Sequence, residues 1–326
     1  MGGEVGWGIL GTAHIAEASF LPGLREAGGG RPVAVASRRR EAAQAFAAAH
    51  GVEQAVQGYE AVLGDPGVEA VYVPLPNAMH REWAEAALRA GKAVFCEKPL
   101  CGNVSDTEAL LSVARETGGL LWEAFVFPFH EQMARVRGLL ATGAIGELRE
   151  IQSSFHFVLE DRGNIRLSAE LEGGSLQDVG CYPVRVARLL FDAEPLGGRA
   201  SALFGASGVD EEMIGELTFP GDRWLQLSCG FHREYDCYTR VLGTSGQINM
   251  TNPCHPGFGD TIEVVAGGER NVRPAAVDDH SFTAAIRHVH AAIRGVEPPR
   301  HLAVDDALGN ATAIELLLRA AREPTG

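Results

Sequence analysis

The spacing of apolar positions divides the chain into two textures. In the first third, short apolar runs alternate with segments whose apolar residues recur every three or four positions. The runs are Val5–Leu10, Pro32–Ser37, Ala70–Val73, Ala93–Cys96 and Leu120–Ala124. Between them, helical periodicity covers Glu41–His50, about Tyr59–Leu63, Met79–Ala90 and Ser105–Thr117. Short apolar runs bounded by turn residues read as buried strands, and their alternation with helices predicts a parallel, doubly wound sheet. Ser105, with Glu108 three residues on, reads as the N-cap of its helix.

After Phe125 the period falls to two. The runs Glu150–Phe157, Ala200–Phe204, Glu212–Phe219, Trp224–Cys229, Tyr238–Leu242, Gln247–Met250 and Thr261–Val265 are separated by turns rich in Gly, Pro and Asp. They predict a largely antiparallel open sheet, one face of which is free to pack on the first domain or on a second subunit. Helices are expected at Glu131–Thr142, ended by Gly143, and at Ser281–Arg294 and Asp305–Arg322. A further helix interrupts the strands between 173 and 190. The expected organisation is an α/β chain of two domains, 1–124 and 125–326.

Composition narrows the function. With 326 residues and 46% apolar content, the chain can bury two cores. A formal net charge of -14 disfavours nucleic acid and anionic membranes as partners. No apolar run is long enough to span a bilayer. The N-terminus lacks a basic segment followed by an apolar one, so no secretory signal is expected. The six cysteines form no CxxC pair, which favours free thiols in a reducing compartment and hence the cytoplasm.

In a parallel sheet the ligand crevice lies at the carboxyl ends of the strands, and the candidate residues cluster there. Gly11-Thr12-Ala13-His14-Ile15 joins the first strand to the first helix, where a dinucleotide-binding turn reads GxGxxG. Only Gly11 is kept; Ala13 and Ala16 replace the other two glycines. The helix N-terminus can still offer N–H groups to an anion. The second strand ends in Ser37 and Arg38, with no carboxylate for a ribose diol. That suits a 2′-phosphate, and NADP over NAD, unless the arginines are simply a solvated start to the next helix. Pro74, Leu75, Asn77 and His80 follow the strand at Ala70–Val73; His80 either touches the cofactor or caps its helix. Glu97-Lys98-Pro99 follows the strand at Ala93–Cys96. Proline pushes the preceding residue out of the helical region, so Lys98 is presented from a constrained turn. A lysine partly withdrawn from water can work as an acid or base.

Farther along, Asp178 and Tyr182 are four apart and share a helix face if the chain stays helical through Gly180. A carboxylate and a phenol together can handle a proton in carbinol–carbonyl chemistry; the alternative is that Asp178 caps and Tyr182 packs. Phe125, Phe127 and Phe129 alternate, either lining a pocket or packing between domains. His288 and His290 are two apart and do not face each other, and no cysteine or carboxylate cluster joins them, so no metal is expected.

These residues resemble the glucose–fructose oxidoreductase and inositol dehydrogenase (Gfo/Idh/MocA) family. The likeness is carried by Gly8–Ala16, Pro74–His80, Cys96–Leu100, Glu123–Phe125, Gly163–Leu167 and Gly173–Tyr182, over nearly the whole chain. It implies a Rossmann domain followed by an α/β domain whose open sheet makes a dimer or tetramer interface. It also implies a nicotinamide cofactor held by the strand-end residues named above, Glu97 included. By position, Lys98 matches the lysine that contacts nicotinamide ribose and substrate. Tyr182 stands where many members have histidine and would exchange the proton, its pKa lowered by Lys98. Asp178 would orient substrate hydroxyls, with Phe125 and Arg166 also at the substrate.

The tyrosine form is similar to the branch of aldose dehydrogenases, dihydrodiol dehydrogenases and nucleotide-sugar 3-ketoreductases. Departures from the family pattern are Ala13 and Ala16, Glu172 in place of a third glycine, and Pro128 where relatives carry a basic residue beside the substrate. The expected activity is NADP-dependent oxidation of a sugar or related polyol, with NAD possible. The alternatives are a 3-ketoreductase of nucleotide-linked sugars and a regulator that binds dinucleotide without chemistry. The presence of both Lys98 and Tyr182 argues against the regulator.

Overall fold

A computed structural model describes residues 3–275 and 280–323. The chain divides into two compact units, Met1–Val126 with Asp279–Leu308, and Phe127–Asp278 with Gly309–Gly326.

The first unit is built on a six-stranded sheet in the order β3-β2-β1-β4-β5-β6, with every neighbouring pair parallel. The strands are β1 (Val5–Leu10), β2 (Gly30–Ser37), β3 (Gln54–Gln57), β4 (Ala70–Val73), β5 (Ala93–Cys96) and β6 (Leu121–Glu123). The helices are α1 (Leu21–Ala27), α2 (Arg40–His50), α3 (Glu60–Leu63), α4 (Asn77–Arg89) and α5 (Val104–Thr117). All residues of β1 and β4 are buried, as continuous apolar runs covered on both faces must be. The strand order reverses between β1 and β4, which is where such sheets bind dinucleotides. β3 was not expected: it is a short edge strand, partly exposed, with no apolar run to announce it. The cap of α5 also differs. Asn103 is the N-cap, its side chain accepting from the Asp106 backbone N–H (2.9 Å), while Ser105 lies inside the first turn. The Asn103 side-chain amide also donates to the Asp106 carboxylate (2.9 Å), so this pair stands where Ser105 with Glu108 was expected.

The expected second domain, 125–326, is interrupted. Asp279–Leu308, which contains α8 (Thr283–Ile293), belongs to the first unit. Polar contacts hold α8 there. Glu26 accepts from the Thr283 hydroxyl (2.6 Å) and the His280 backbone N–H, and Arg294 donates to Glu69 (2.9 Å). The hydrogen bond from Thr283 pulls the Glu26 carboxyl below its usual range, and the Arg294 guanidinium does the same to Glu69. Helical periodicity shows that α8 exists, but not which core receives it.

The second unit carries an eight-stranded sheet in the order β14-β13-β12-β11-β7-β10-β9-β8. Its strands are β7 (Leu148–Val158), β8 (Gly197–Phe204), β9 (Asp210–Phe219), β10 (Arg223–Gly230), β11 (His232–Gly243), β12 (Gly246–Thr251), β13 (Thr261–Ala266) and β14 (Glu269–Pro274). Only the β7–β10 pair is parallel. β14 was missed because all six of its positions are exposed, so it has no apolar alternation. The unit's helices are α6 (Glu131–Ala141), α7 (Cys181–Phe191) and most of α9 (Ala303–Arg322), and α7 packs on β7 and β10.

Candidate active site

In the first unit the candidate residues lie at the carboxyl ends of β1, β2, β4 and β5. Gly11 leaves β1 with φ 108°, a backbone region open chiefly to glycine, and its N–H donates to the Ala36 carbonyl (2.8 Å). A Cβ at Gly11 would sit 3.1 Å from Leu75 Cδ2. The helix begins at His14 and passes through a π-turn, Ala16–Phe20, before α1. Thr12, Ala13 and Ile15 are half-buried, whereas His14 is exposed and pairs with Glu17 (2.9 Å). At the end of β2, Ser37 is half-buried and Arg38 exposed. The Ser37 hydroxyl accepts from the Arg39 N–H, and Gln57 donates to the Arg38 carbonyl (3.1 Å), so the backbone there is fixed. Among the described residues no carboxylate forms an ion pair with Arg38.

Lys98 is half-buried, and the backbone on both sides of it is anchored. The Glu97 carboxylate accepts from the Tyr72 hydroxyl (2.6 Å) and from the Lys98 N–H (3.3 Å). Glu123 accepts from the Leu100 N–H (2.8 Å), and the Lys98–Pro99 peptide is cis. His80 lies with one ring nitrogen 2.9 Å from the Pro99 carbonyl and the other 2.7 Å from the Leu75 carbonyl.

His80 therefore corrects one expectation. Its exposure is 0%, so no cofactor atom can reach it in this arrangement. It ties the turn after β4 to the turn after β5 and so positions Lys98. Burial, then the charge of Lys98, pushes the His80 pKa down, while the two carbonyls pull it up. Pro74, Leu75 and Phe125 are buried, and Asn77 opens α4, half-buried.

In the second unit the chain is helical through Gly180 (φ −69°, ψ −21°), so the condition for Asp178 and Tyr182 to share a face is met. A π-turn, Leu176–Gly180, runs directly into α7. The start of this turn is capped by Asp210, which sequence reasoning missed. Its buried carboxylate accepts from the Ser175 hydroxyl (2.6 Å) and the Leu176 N–H (2.7 Å), and burial pushes its pKa up. Gly173 is demanded by space: a Cβ there would lie 2.3 Å from the Arg166 carbonyl oxygen.

Asp178 and Tyr182 are each engaged by a side chain from elsewhere in this unit. The Asp178 carboxylate accepts from Arg166 Nε (2.6 Å), a pair half open to water. Asn164 shapes the 3₁₀ turn that carries Arg166 by accepting its backbone N–H (3.1 Å). Tyr182 is 3% exposed, with its hydroxyl 3.0 Å from His255 Nε2. Its ring lies against His255, Phe155 and Phe127, at centroid distances of 5.3, 5.6 and 6.3 Å. His255 was not anticipated; the only signal was a histidine set between two prolines in a turn between strands. Among the described residues, no three His, Cys, Asp or Glu side chains are grouped to hold a metal ion, and no helix is long and apolar enough to cross a membrane.

The doubly wound sheet with a glycine turn at its crossover, joined to a second α/β unit, defines a nicotinamide-dependent oxidoreductase. The chain belongs to the Gfo/Idh/MocA oxidoreductase family: residues 5–125 match its NAD-binding Rossmann-fold domain and residues 133–249 its C-terminal domain. A dTDP-3,4-didehydro-2,6-dideoxy-alpha-D-glucose 3-reductase of Streptomyces violaceoruber is 39% identical, over 88% of this chain and 84% of that one. D-xylose 1-dehydrogenase (NADP(+)) 2 of Haloferax volcanii is 36% identical over 76% of this chain and 75% of that one. The crystal structure of KijD10, a 3-ketoreductase from Actinomadura kijaniata in complex with NADP and TDP-benzene, superposes with a TM-score of 0.89. It is 33% identical and the match covers 98% of both chains. The first unit fits a dinucleotide. Gly11 makes the turn at a φ open chiefly to glycine, where a side chain would crowd Leu75; a helix N-terminus follows it, and Arg38 is an exposed cation at the end of β2.

Proposed function

We propose that the protein oxidises a carbinol of a sugar or related polyol, or reduces the matching carbonyl, with NADP preferred over NAD. The observation that carries this reading is the lysine held at the end of β5 by Glu97, Glu123 and His80, in the same sheet as the Gly11 turn. The bound nicotinamide supplies the two-electron acceptor or donor. Tyr182 exchanges the proton with the reacting oxygen. Lys98 is assigned the positive charge that favours the phenolate. The Arg166–Asp178 pair offers one donor group and one acceptor group to substrate hydroxyls, and Phe125 completes the substrate contacts. Gly11, Thr12, Ala13, His14 and Ile15 receive the pyrophosphate region, Ser37 and Arg38 the 2′-phosphate, and Pro74, Leu75, Asn77 and Glu97 border the ring end.

A homodimer or homotetramer through the open sheet is part of the same proposal. Ile214, Trp224 and Tyr238 are exposed on one face of that sheet, around a row of Gln226, Gln152, Arg240 and Asn249. Exposed aromatic and aliphatic side chains on one face of a sheet are suited to cover by a second copy. All six cysteines are free and buried, which supports a cytoplasmic setting.

The test is a panel of free aldoses and polyols offered with NADP and with NAD, followed by the absorbance of reduced nicotinamide. Turnover of an aldose with NADP supports the reading. The second reading, a 3-ketoreductase of nucleotide-linked sugars, is favoured by the relative from Streptomyces violaceoruber. It replaces the first if only a nucleotide-linked keto-sugar is turned over. Tight dinucleotide binding with no turnover of either class leaves the regulator.

A further inference from the structure

We propose that His255 positions the Tyr182 phenol and passes its proton to water. The proposal rests on the oxidoreductase reading above and assigns a task to a residue which that reading does not use. Tyr182 is 3% exposed, so water has almost no direct access to it. Its hydroxyl lies 3.0 Å from His255 Nε2, and the His255 ring is half-buried and therefore within reach of solvent. A phenolate that takes a proton from a carbinol becomes a phenol and must lose that proton before the next turnover, and one imidazole with two nitrogens bridges this gap.

The loop between β12 and β13 holds the ring in place. Asn252, at φ 44°, donates to the His255 carbonyl (2.6 Å) and to Asp260 (3.3 Å), while its own carbonyl oxygen accepts from the Tyr235 hydroxyl (2.8 Å). Asp260 also accepts from the Gly257 N–H (2.8 Å). Pro253 and Pro256 flank the histidine, and the Phe155 ring meets His255 edge-on at 6.4 Å. Loop, prolines and aromatic contact together fix Nε2 on the phenol.

The proton step balances on these two side chains. The Tyr182 O–H bond breaks and an N–H bond forms at His255 Nε2, giving an imidazolium. The Nδ1–H bond then breaks toward water, leaving the neutral ring with its proton on Nε2, and exchange through water moves that proton back to Nδ1 before the next turnover. In the reducing direction the same bonds form and break in reverse. Histidine suits the task because its ordinary pKa lies close to neutrality. Other titratable groups on the elements packed here include Asp178, already paired with Arg166, Cys181 on α7, His156 on β7, Tyr235, Asp236 and Cys237 on β11, and Cys254 and Asp260 in the loop.

The test uses the full-length protein and its His255→Ala, His255→Gln and Tyr182→Phe variants. With whichever substrate the wild type turns over, His255→Ala is expected to lower kcat about tenfold or more, with KM changed by less than about threefold. Added imidazole is expected to restore part of the loss. Glutamine can still hydrogen-bond the phenol but cannot take up and release a proton, so His255→Gln is expected to stay slow. An independent readout needs no turnover: in Tyr182→Phe, the pH midpoint of the His255 imidazole, followed by NMR, is expected to move. The proposal is overturned if His255→Gln works at the wild-type rate, if His255→Ala keeps the wild-type kcat and pH profile, or if the midpoint does not move. If the wild type turns over nothing, the oxidoreductase reading fails, while the NMR midpoint still decides the coupling of the pair.

Discussion

The indole N–H of Trp7 donates to Nε2 of His290 across 2.8 Å, although 283 positions separate the two residues. An indole can only donate, so Nε2 must be an acceptor and the ring proton must sit on Nδ1. Nδ1 lies 3.0 Å from the Gly28 carbonyl, which accepts that proton. Both bonds are satisfied by neutral histidine alone. Gly30 makes room for this ring, since a Cβ there would lie 2.6 Å from two of its atoms.

A pH dependence of stability follows. Burial drives the His290 pKa from 6.5 to about 4. Between those values the unfolded chain binds a proton at His290 that the folded chain refuses. The stability due to neutral His290 is therefore complete above pH 6.5 and is lost as pH falls toward about 4. Burial also lowers the pKa of His288, which contributes in the same direction. Thermal melts across this window are expected to steepen in the wild type and flatten in His290→Leu. At neutral pH that variant is expected to be less stable by about 1–3 kcal/mol, because Trp7 and Gly28 lose their partner. Equal slopes in both proteins would contradict the assignment.

Arg38→Ala is expected to weaken NADP far more than NAD. A guanidinium on a 2′-phosphate makes charge-assisted hydrogen bonds worth about 1.5–3 kcal/mol, so NADP affinity is expected to fall about tenfold to a hundredfold. NAD offers a ribose hydroxyl there and is expected to bind almost unchanged. Equilibrium titration of both dinucleotides by fluorescence checks this, and equal losses would remove Arg38 from the 2′-phosphate.

Lys98→Met is expected to abolish most turnover while leaving the fold intact. Glu97, Glu123 and His80 act on backbone atoms around Lys98, and these anchors of the turn remain when its side chain is replaced. A loss of about a hundredfold or more in kcat is expected if the amine assists proton transfer. Full-rate oxidation by the variant would exclude Lys98 from the mechanism.

What the sequence discloses and what it conceals follow from how each feature is encoded. β1, β4 and β5 were readable because a strand buried on both faces must be apolar throughout. β3 and β14 were not, because edge strands pair through the backbone and place no constraint on side chains. Gly11, Lys98, Asp178 and Tyr182 could be singled out from local spacing and family likeness. The pairings they make could not, even where, as for Arg166, the partner itself was singled out. Arg166 reaches Asp178 across 12 positions, His255 reaches Tyr182 across 73, and Asp210 caps the π-turn from 34 positions away. For His80 the sequence suggested a cofactor contact or a helix cap, and only its complete burial between two carbonyls shows it as a strut.

Two glycines of the second unit test whether the Arg166–Asp178 pair depends on the turn beneath it. At Gly173 a Cβ would lie 2.3 Å from the Arg166 carbonyl oxygen and 2.9 Å from that of Ile165, both backbone atoms that no rotamer change can relieve. Gly173→Ala must therefore displace the 3₁₀ turn that carries Arg166 and lengthen its 2.6 Å bond to Asp178. If this pair binds substrate hydroxyls, KM for the sugar is expected to rise severalfold while NADP affinity is unchanged, since the dinucleotide turns belong to the other unit. At Gly138, inside α6, a Cβ meets nothing within 4 Å. Gly138→Ala is expected to stabilise the unit by up to about 1 kcal/mol through helix propensity and to leave KM alone. Melting temperature and substrate KM for the two variants separate the effects: a methyl group matters where the Arg166 carbonyl lies behind it and not where solvent does. Wild-type KM in Gly173→Ala would show that the position of Arg166 has no part in holding substrate.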